Sequence, residues 1–226
     1  MIDSYYNILE TILIIYTSDE GKLKVYLHKR KDEPYKGYWT LPTSFLSCDE
    51  LPENNVQVIF KKMTGLDNTK FLQNKTFSKL DRNPNKRIIG LSYVAITDKH
   101  LTEIKQDNEN NAWFEIDTLP KMGFDHENII NEVSNDIKEK ILNNYEDILL
   151  MFFPSDFTLS ELQSFYENVL GKKIDRRNFH KKFVSQNLII DTGFKLTNKS
   201  GRPGTLYSFN KEKMRGKRLW ILMVLE

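Results

Sequence analysis

The chain has 226 residues, 39% of them hydrophobic and 28% charged, which suits a soluble globular protein with one large domain or two modest ones. Its only cysteine, Cys48, excludes an internal disulfide framework and favours a reducing compartment, so we expect a cytoplasmic protein. We expect no signal peptide, and the longest apolar run, residues 219–225, is far too short to cross a bilayer.

The net charge of +2 hides an uneven distribution. Residues 1–153 carry a balance of −5, whereas residues 154–226 carry +7. Such asymmetry predicts a separate anion-binding module at the carboxy-terminal end, with nucleic acid as the first candidate partner. A solvated lysine-rich face is the alternative interpretation.

The amino-terminal part predicts a sheet flanked by helices. A helix is expected from Pro52 to Met63, ended by Gly65 as a carboxy-terminal cap. Runs rich in β-branched residues, or with alternating polarity, and bounded by turn signals predict the strands. They cover residues 8–16, 23–30, 38–41, 71–80, 87–96 and 112–116. Interspersed strands and helices favour a mixed sheet.

The carboxy-terminal part predicts helices followed by a hairpin. Apolar residues at helical spacing predict one long helix over residues 127–152. Thr158 and Glu161 form a capping box for the next helix, and Asp175 is expected to cap a third helix to about residue 186. Two apolar runs around a polar loop complete a winged helix-turn-helix. We therefore expect an α+β protein with domains at 1–150 and 151–226.

The third predicted helix has the features of a DNA-recognition helix. Helical spacing turns Phe179 and Phe183 inward and leaves the cations outward, toward phosphates and guanines. The predicted wing adds Lys195 and two further cations. A solvated amphipathic helix is the alternative. The expected DNA-binding residues are Arg176, Arg177, His180, Lys181, Lys182, Lys199 and Arg202.

Residues 44–66 resemble a Nudix box, the phosphate-hydrolysing motif in which helix glutamates hold divalent cations. Glu50, Phe60, Gly65 and Leu66 fit its register. The three helix glutamates are replaced by Ile59, Lys62 and Met63, and Ser44 and Val58 replace its first glycine and its arginine. Hard cations need oxygen ligands, which the replacements do not supply. We therefore expect no enzymatic activity, no catalytic residue and no bound metal.

Further motifs resemble those of the Nudix-related transcriptional regulators. These are residues 28–42 before the box, 81–87, 123–126, Arg177-Asn-Phe179 in the recognition helix and 201–207 in the wing. Members join a Nudix-like α/β/α sandwich to a winged helix and are repressors, usually homodimers, that sense ADP-ribose-like compounds or sugars. The resemblance implies a regulator of this kind with a DNA operator and a small-molecule effector as partners and no cofactor.

The resemblance defines the effector less closely, because this chain departs from the family at one motif. The family has Leu-Pro-Gly-Gly-Phe where this chain has Leu41-Pro-Thr-Ser-Phe45. Side chains replace glycines where the backbone would approach a pyrophosphate, which makes a sugar or sugar phosphate an option beside an ADP-ribose-like nucleotide. Two other functions stay open. One is a hydrolase of a nucleoside diphosphate derivative that uses carboxylates outside the box, such as Glu53 or Glu115, and the other is a protein-binding scaffold.

Candidate ligand-binding residues are chosen for their chemistry. Arginines suit bidentate contact with an anion, and Phe45 suits stacking on a base or sugar. Surface charge and ordinary packing are the alternatives for each, and for His126 a role at a helix start, with Asp125 as cap, is favoured. The candidate residues are Arg30, Phe45, Arg82, Arg87 and His126.

Overall fold

The computed structural model describes residues 7–19, 22–67, 69–97, 109–143, 146–153, 156–196 and 204–214. The chain divides into two compact units. Unit 1 comprises Met1–Thr17 and Lys24–Ser134, and unit 2 comprises Ser18–Leu23 and Asn135–Glu226. Lys199, Arg202 and the apolar run over residues 219–225, which the sequence analysis named, lie outside the described residues.

Unit 1 is built on a mixed sheet, as predicted, and this sheet has seven strands. Strands β3-β2-β1-β6-β5 follow one another across it, while β4 pairs with β1 and β7 pairs with β2. The strands are β1 Ile8–Asp19, β2 Lys22–Lys29, β3 Trp39–Thr40, β4 Thr43–Phe45, β5 Leu72–Phe77, β6 Ile88–Ile96 and β7 Asn111–Glu115.

Strand β1 lies at the centre of the sheet and is almost wholly buried. It runs parallel to β6 from Ile8↔Ile88 to Tyr16↔Ile96 and antiparallel to the short strand β4. The β-branched run that predicted a buried strand is therefore explained by neighbours on both edges. The sequence did not predict β4, because three residues after a proline carry no periodic signal.

Helix α1, Pro52–Thr64, packs its apolar side on this sheet. It starts with Pro52 in the first turn and ends where Gly65 adopts the left-handed conformation (φ 75°) and donates its N–H to the Lys61 carbonyl. Both ends agree with the prediction, since proline suits a helix start and glycine suits a left-handed cap.

The predicted continuous helix over residues 127–152 was wrong. The structure has two helices, α2 His126–Leu142 and α3 Glu146–Phe152. Asn143 follows α2, and its Nδ2 donates to the Glu139 carbonyl oxygen (2.8 Å). Asparagine side chains compete for backbone groups in this way, which favours helix ends over helix interiors.

Unit 2 contains the predicted winged helix-turn-helix elements. They are β8 Phe157–Thr158, α4 Leu159–Leu170, α5 Arg176–Ser185, β9 Ile189–Leu196, β10 Gly204–Phe209 and α6 Lys211–Met214. The three strands pair in the order β8-β10-β9. Aromatic rings fill the interior: Phe165 contacts Phe153, and Tyr166 contacts Phe179 and Phe183.

The capping box at Thr158 and Glu161 is present with both of its reciprocal hydrogen bonds, and it opens α4 as predicted. Burial raises the pKa of the Tyr166 hydroxyl well above its usual range, so this ring stays neutral inside the unit. Within the described ranges, every helix is too short or too polar to cross a membrane.

Candidate functional site

The positions that correspond to the Nudix-box glutamates do not form a metal site in α1. Ile59 is 5% exposed and belongs to the core cluster with Leu13, Tyr26, Val56 and Phe60, against which Met63 also packs. Lys62 is exposed. Two of the three positions have therefore been incorporated into the hydrophobic core.

Glu50, the carboxylate retained from the box, is held by a neighbouring amide. Its Oε2 accepts a hydrogen bond from Asn55 Nδ2 (2.7 Å), and that amide nitrogen also lies 3.4 Å from the Phe45 carbonyl oxygen. Thr11 Oγ1 hydrogen bonds to Asn55 Oδ1 from strand β1. Asn55 is buried, so this network fixes the first turns of α1 to β1 and β4. The sequence reasoning did not identify Thr11 or Asn55.

The two residues that replace the family's paired glycines lie in strand β4. Thr43 pairs with Ile12 and Ser44 with Thr11, and neither has a positive φ. Extended backbone of this kind accepts any L-residue. The substitutions are therefore compatible with the local backbone, and the Ser44 hydroxyl lies 3.5 Å from Asn55 Nδ2 of α1.

Arg82 lies in a buried ion-pair cluster. Its guanidinium donates to both oxygens of Asp125 (Nε to Oδ2 3.1 Å, Nη2 to Oδ1 3.2 Å) and to Glu10 Oε2 (3.0 Å). The Arg82 side chain is 3% exposed. These contacts join β1, the turn after β5 and the residue before α2. The geometry favours a positioning role for Arg82, and direct ligand contact stays a prediction.

Close packing surrounds this guanidinium. A Cβ added at Gly90 on β6 would lie 3.2 Å from Arg82 Nη2 and would collide with Ile12. Glycine at this position therefore gives the guanidinium room to reach Asp125.

His126 is buried at the start of α2. Its Nδ1 accepts a hydrogen bond from the Leu41 N–H (3.0 Å). Burial, with the nearby charges of Arg82, His28 and Arg30, lowers the pKa of His126 to about 3. The ring is therefore neutral at physiological pH, with its proton on Nε2. Asp125 directly precedes the helix, but both of its carboxylate oxygens bond to Arg82, so its predicted capping role stays a prediction.

Arg30 and Arg87 bond to backbone carbonyl groups. Arg30 donates to the carbonyl oxygens of Pro34 (2.7 Å) and Glu33 (3.3 Å) and lies over the Phe124 ring. Arg87 Nη1 donates to the carbonyl of Ser78 (2.6 Å). Both are partly exposed, so their predicted ligand contacts remain predictions.

Phe45 differs from the other candidates because it is 58% exposed at the end of β4. Leu51 and Val58, near the start and in the middle of α1, are exposed as well, at 65% and 63%. Exposed apolar side chains therefore occur at the end of β4 and on or next to α1, and the exposure of Phe45 suits its predicted stacking role.

The carboxylates that were considered for hydrolysis do not gather around a common point. Glu53 Oε1 accepts a hydrogen bond from the Tyr93 hydroxyl (3.0 Å), and burial together with this carboxylate raises the pKa of Tyr93 to about 12. Glu115 lies on β7 opposite Lys24. Among the described residues, no group of three His, Cys, Asp or Glu side chains is arranged to hold a metal ion.

Helix α5 places its cations as the sequence predicted. Phe179 and Phe183 are buried, while Arg176, Arg177, His180 and Lys181 are exposed. Lys182 is partly buried, and burial lowers the pKa of its ammonium group. The ring of His180 packs edge-on against Tyr207 of β10. The outward face of α5 is therefore positively charged and attached to the hairpin.

Asp175 caps this basic helix, since its Oδ1 accepts the Asn178 N–H (2.8 Å). Asp175→Ala is expected to lower the stability of unit 2 by about 1 kcal/mol, because an N–H of the first turn loses its partner. Asp175→Ser, which retains a capping oxygen, should stay within a few tenths of a kcal/mol of the native protein. Urea unfolding followed by far-UV circular dichroism measures both, and equal losses for the two variants would contradict the capping role.

Comparison with known proteins agrees with this geometry. Residues 150–209 match the NrtR DNA-binding winged helix domain. The ADPR responsive transcriptional repressor NtrR of Acinetobacter baylyi is 26% identical over 204 residues, covering 87% of this chain and 80% of that protein. The crystal structure of Shewanella oneidensis NrtR complexed with a 27mer DNA superposes with a TM-score of 0.76 at 27% identity, covering 91% of this chain and 95% of the other.

The chain is similar to NrtR and NtrR over most of its length. The match to Shewanella oneidensis NrtR confirms the predicted α+β architecture of a Nudix-like domain followed by a winged helix. The Nudix-like part also resembles an enzyme. The ADP-ribose pyrophosphatase of Methanocaldococcus jannaschii is 38% identical over 112 residues, covering 48% of this chain and 64% of that protein.

Proposed function

We propose that this protein is a DNA-binding transcriptional repressor that acts as a homodimer. Its amino-terminal domain, residues 1–150, senses a metabolite, and residues 151–226 bind a double-stranded operator in the cytoplasm. The observation that carries the proposal is the exposed basic face of α5 within a winged helix that matches the NrtR DNA-binding domain.

The effector is proposed to be a sugar, a sugar phosphate or an ADP-ribose-like nucleotide. The Acinetobacter baylyi relative is ADPR responsive, which supports the nucleotide. The side chains of Thr43 and Ser44 in β4, where the family has glycines, support a smaller compound. The effector regulates only if it binds the DNA-competent and DNA-incompetent states with different affinity.

A gel shift on the protein's own upstream region tests the proposal. We expect specific DNA binding that weakens as the salt concentration rises. The affinity for DNA should change when one of the three effector classes is added. Lys181→Ala should weaken binding about tenfold and reduce the salt dependence, because one phosphate contact is lost. Lys79→Ala, an exposed lysine of the amino-terminal domain, is the matched control and should bind like the native protein. Absence of specific binding with every metabolite would refute the proposal.

Hydrolysis of a nucleoside diphosphate derivative is the second candidate function, favoured by the likeness to the ADP-ribose pyrophosphatase. Against it, Ile59 and Met63 pack with the core and Lys62 is a cation. The purified protein is therefore expected not to release ribose phosphate or orthophosphate from ADP-ribose with Mg²⁺. Mg²⁺-dependent release of either product, abolished by Glu53→Gln, would establish that the protein is a hydrolase.

A further inference from the structure

The three-stranded sheet of unit 2 packs one of its sides on the helices. Alternate residues of a strand point to opposite sides of its sheet. Phe209 of β10 points inward, since its ring contacts those of Phe153 and Phe157. Tyr207 lies two residues earlier on the same side, where its ring meets that of His180 in α5. The recognition helix therefore lies on the inner side of the sheet.

The other side of the sheet carries exposed apolar residues. Ser208 lies between the two inward residues and so points outward, and its partner on β9 is Ile190. Gly204 is on the same side of β10, and its partner is Leu196. Phe194 precedes Leu196 by two residues and shares its side. We call the surface formed by Ile190, Phe194 and Leu196 the outer face, and these residues are 50%, 69% and 39% exposed.

An apolar outer face is unusual for such a sheet. When one side of an antiparallel sheet packs on the core and the other meets water, the outward residues are usually polar. Several exposed apolar side chains on one surface mark a place that another segment or molecule covers. Strand β9 is also the last in the order β8-β10-β9, and within the described ranges its second edge pairs with no strand. A covering segment can therefore reach the whole length of β9.

An apolar segment of matching length follows the winged helix in the chain. Residues 219–225 read Leu-Trp-Ile-Leu-Met-Val-Leu and form the longest apolar run of the sequence. At about 3.3 Å per residue, this run spans about 23 Å when extended, and strand β9, with 8 residues, spans about 26 Å. Burial of so many apolar side chains is favourable. The run and the outer face therefore agree in length and in chemical character.

The described part of the chain ends close to the start of β9. The Asn210 N–H donates to the carbonyl oxygen of Leu188 (2.8 Å), the residue before this strand. Helix α6 follows directly and ends at Met214, which is 3% exposed. Residues 215–218 separate Met214 from the apolar run and can bridge up to about 14 Å. The outer face is therefore within reach of the run.

We propose that residues 219–225 pack on the outer face of the winged-helix sheet, against Ile190, Phe194 and Leu196. The length of the segment, its apolar character and its point of attachment all agree with this surface. The segment lies beyond residues 150–209, which match the NrtR winged helix domain. Because the outer face is on the side of the sheet away from α5, this contact leaves the basic face of α5 open to DNA.

The fluorescence of Trp220, which lies in the segment, tests this proposal in the full chain. Subtracting the spectrum of Trp220→Phe separates its emission from that of Trp39 and Trp113. We expect emission at shorter wavelength than that of tryptophan in water, with weak quenching by acrylamide. Phe194→Ser should shift this emission to longer wavelength and increase the quenching, because the segment loses an apolar partner. Val184→Ser removes an exposed apolar side chain of α5 and is the matched control, which should leave both unchanged.

Hydrogen exchange of the backbone amides gives a second measurement. A chain that ends at Met214 should exchange the amides of β9 faster than the full chain, because the outer face and the second edge of this strand lose their cover. The amides of α4, on the inner side, should exchange at the same rate in both and serve as the internal control.

The proposal is overturned if Trp220 of the native protein emits as in water, or if Phe194→Ser and Val184→Ser have the same effect. Unchanged exchange in β9 after removal of residues 215–226 would also contradict it. A second copy of the chain is the alternative occupant of the outer face. Emission of Trp220 that depends on protein concentration, or a lower oligomeric state of Phe194→Ser in sedimentation with unchanged Trp220 emission, would establish that occupant instead.

Discussion

Arg82→Ala is expected to lower the free energy of unfolding of the amino-terminal unit by about 3–5 kcal/mol, since two nearly buried carboxylates lose their counter-ion. Asp125 loses a bidentate partner and Glu10 loses a hydrogen bond at 3.0 Å. The low exposure of all three side chains leaves water little access to replace those bonds. Chemical denaturation followed by Trp fluorescence measures the loss.

Arg87→Ala is the matched control. Arg87 is partly exposed, and within the described part of the chain it bonds to the carbonyl oxygens of Ser78 and Lys79, which water can reach after the substitution. We expect a loss of about 1 kcal/mol or less. Similar losses in the free energy of unfolding for the two variants would show that the buried ion-pair cluster stabilises the protein no more than Arg87 does. A ligand-binding role for Arg82 would then be the better interpretation.

Ile59→Glu is expected to destabilise the amino-terminal unit by about 3–5 kcal/mol, although it restores one glutamate of the Nudix box. Ile59 is 5% exposed among Val56, Phe60 and Tyr93, so a carboxylate there is buried among apolar groups. Mg²⁺ is not expected to recover the loss, because Met63 and Lys62 supply no further oxygen ligand. Thermal unfolding with and without Mg²⁺ measures both effects.

Val58→Glu serves as the control for adding the same charge to the same helix. Val58 is 63% exposed, and surface substitutions of this kind change stability by about 0.5 kcal/mol or less. If Ile59→Glu were as stable as Val58→Glu and gained stability from Mg²⁺, the box would still be a working metal site.

Much of the fold was predictable because its signals are local. The β-branched run of β1, the proline and glycine that bound α1, and the capping box of α4 each lie within a few residues of the feature that they specify. The same holds for α5, where phenylalanines four residues apart are buried while His180 and Lys181 between them are exposed. Hydrophobic periodicity and capping residues therefore predict these helices and strands without knowledge of the rest of the chain.

The candidate site was less predictable because its polar residues depend on distant partners. Arg82 and Glu10 are 72 residues apart, and Leu41 and His126 are 85 apart. The residue types in the sequence led to Arg82 and His126 as candidate ligand-binding residues. They did not predict the hydrogen bonds that these two side chains make inside the protein. Asn55 and His28 were missed, since a single amide or imidazole carries no signal until the sheet brings its partners close.

The incorporation of Ile59 and Met63 into the core also limits the evolution of the protein. A variant with metal ligands at these positions would replace packed apolar side chains with carboxylates, and each such step costs a sizeable share of the ~5–15 kcal/mol that keeps a typical domain folded. A full set of carboxylates would require several of these losses. Substitutions on the exposed side of α1 cost less stability, so this helix is freer to change its surface contacts than to gain metal ligands.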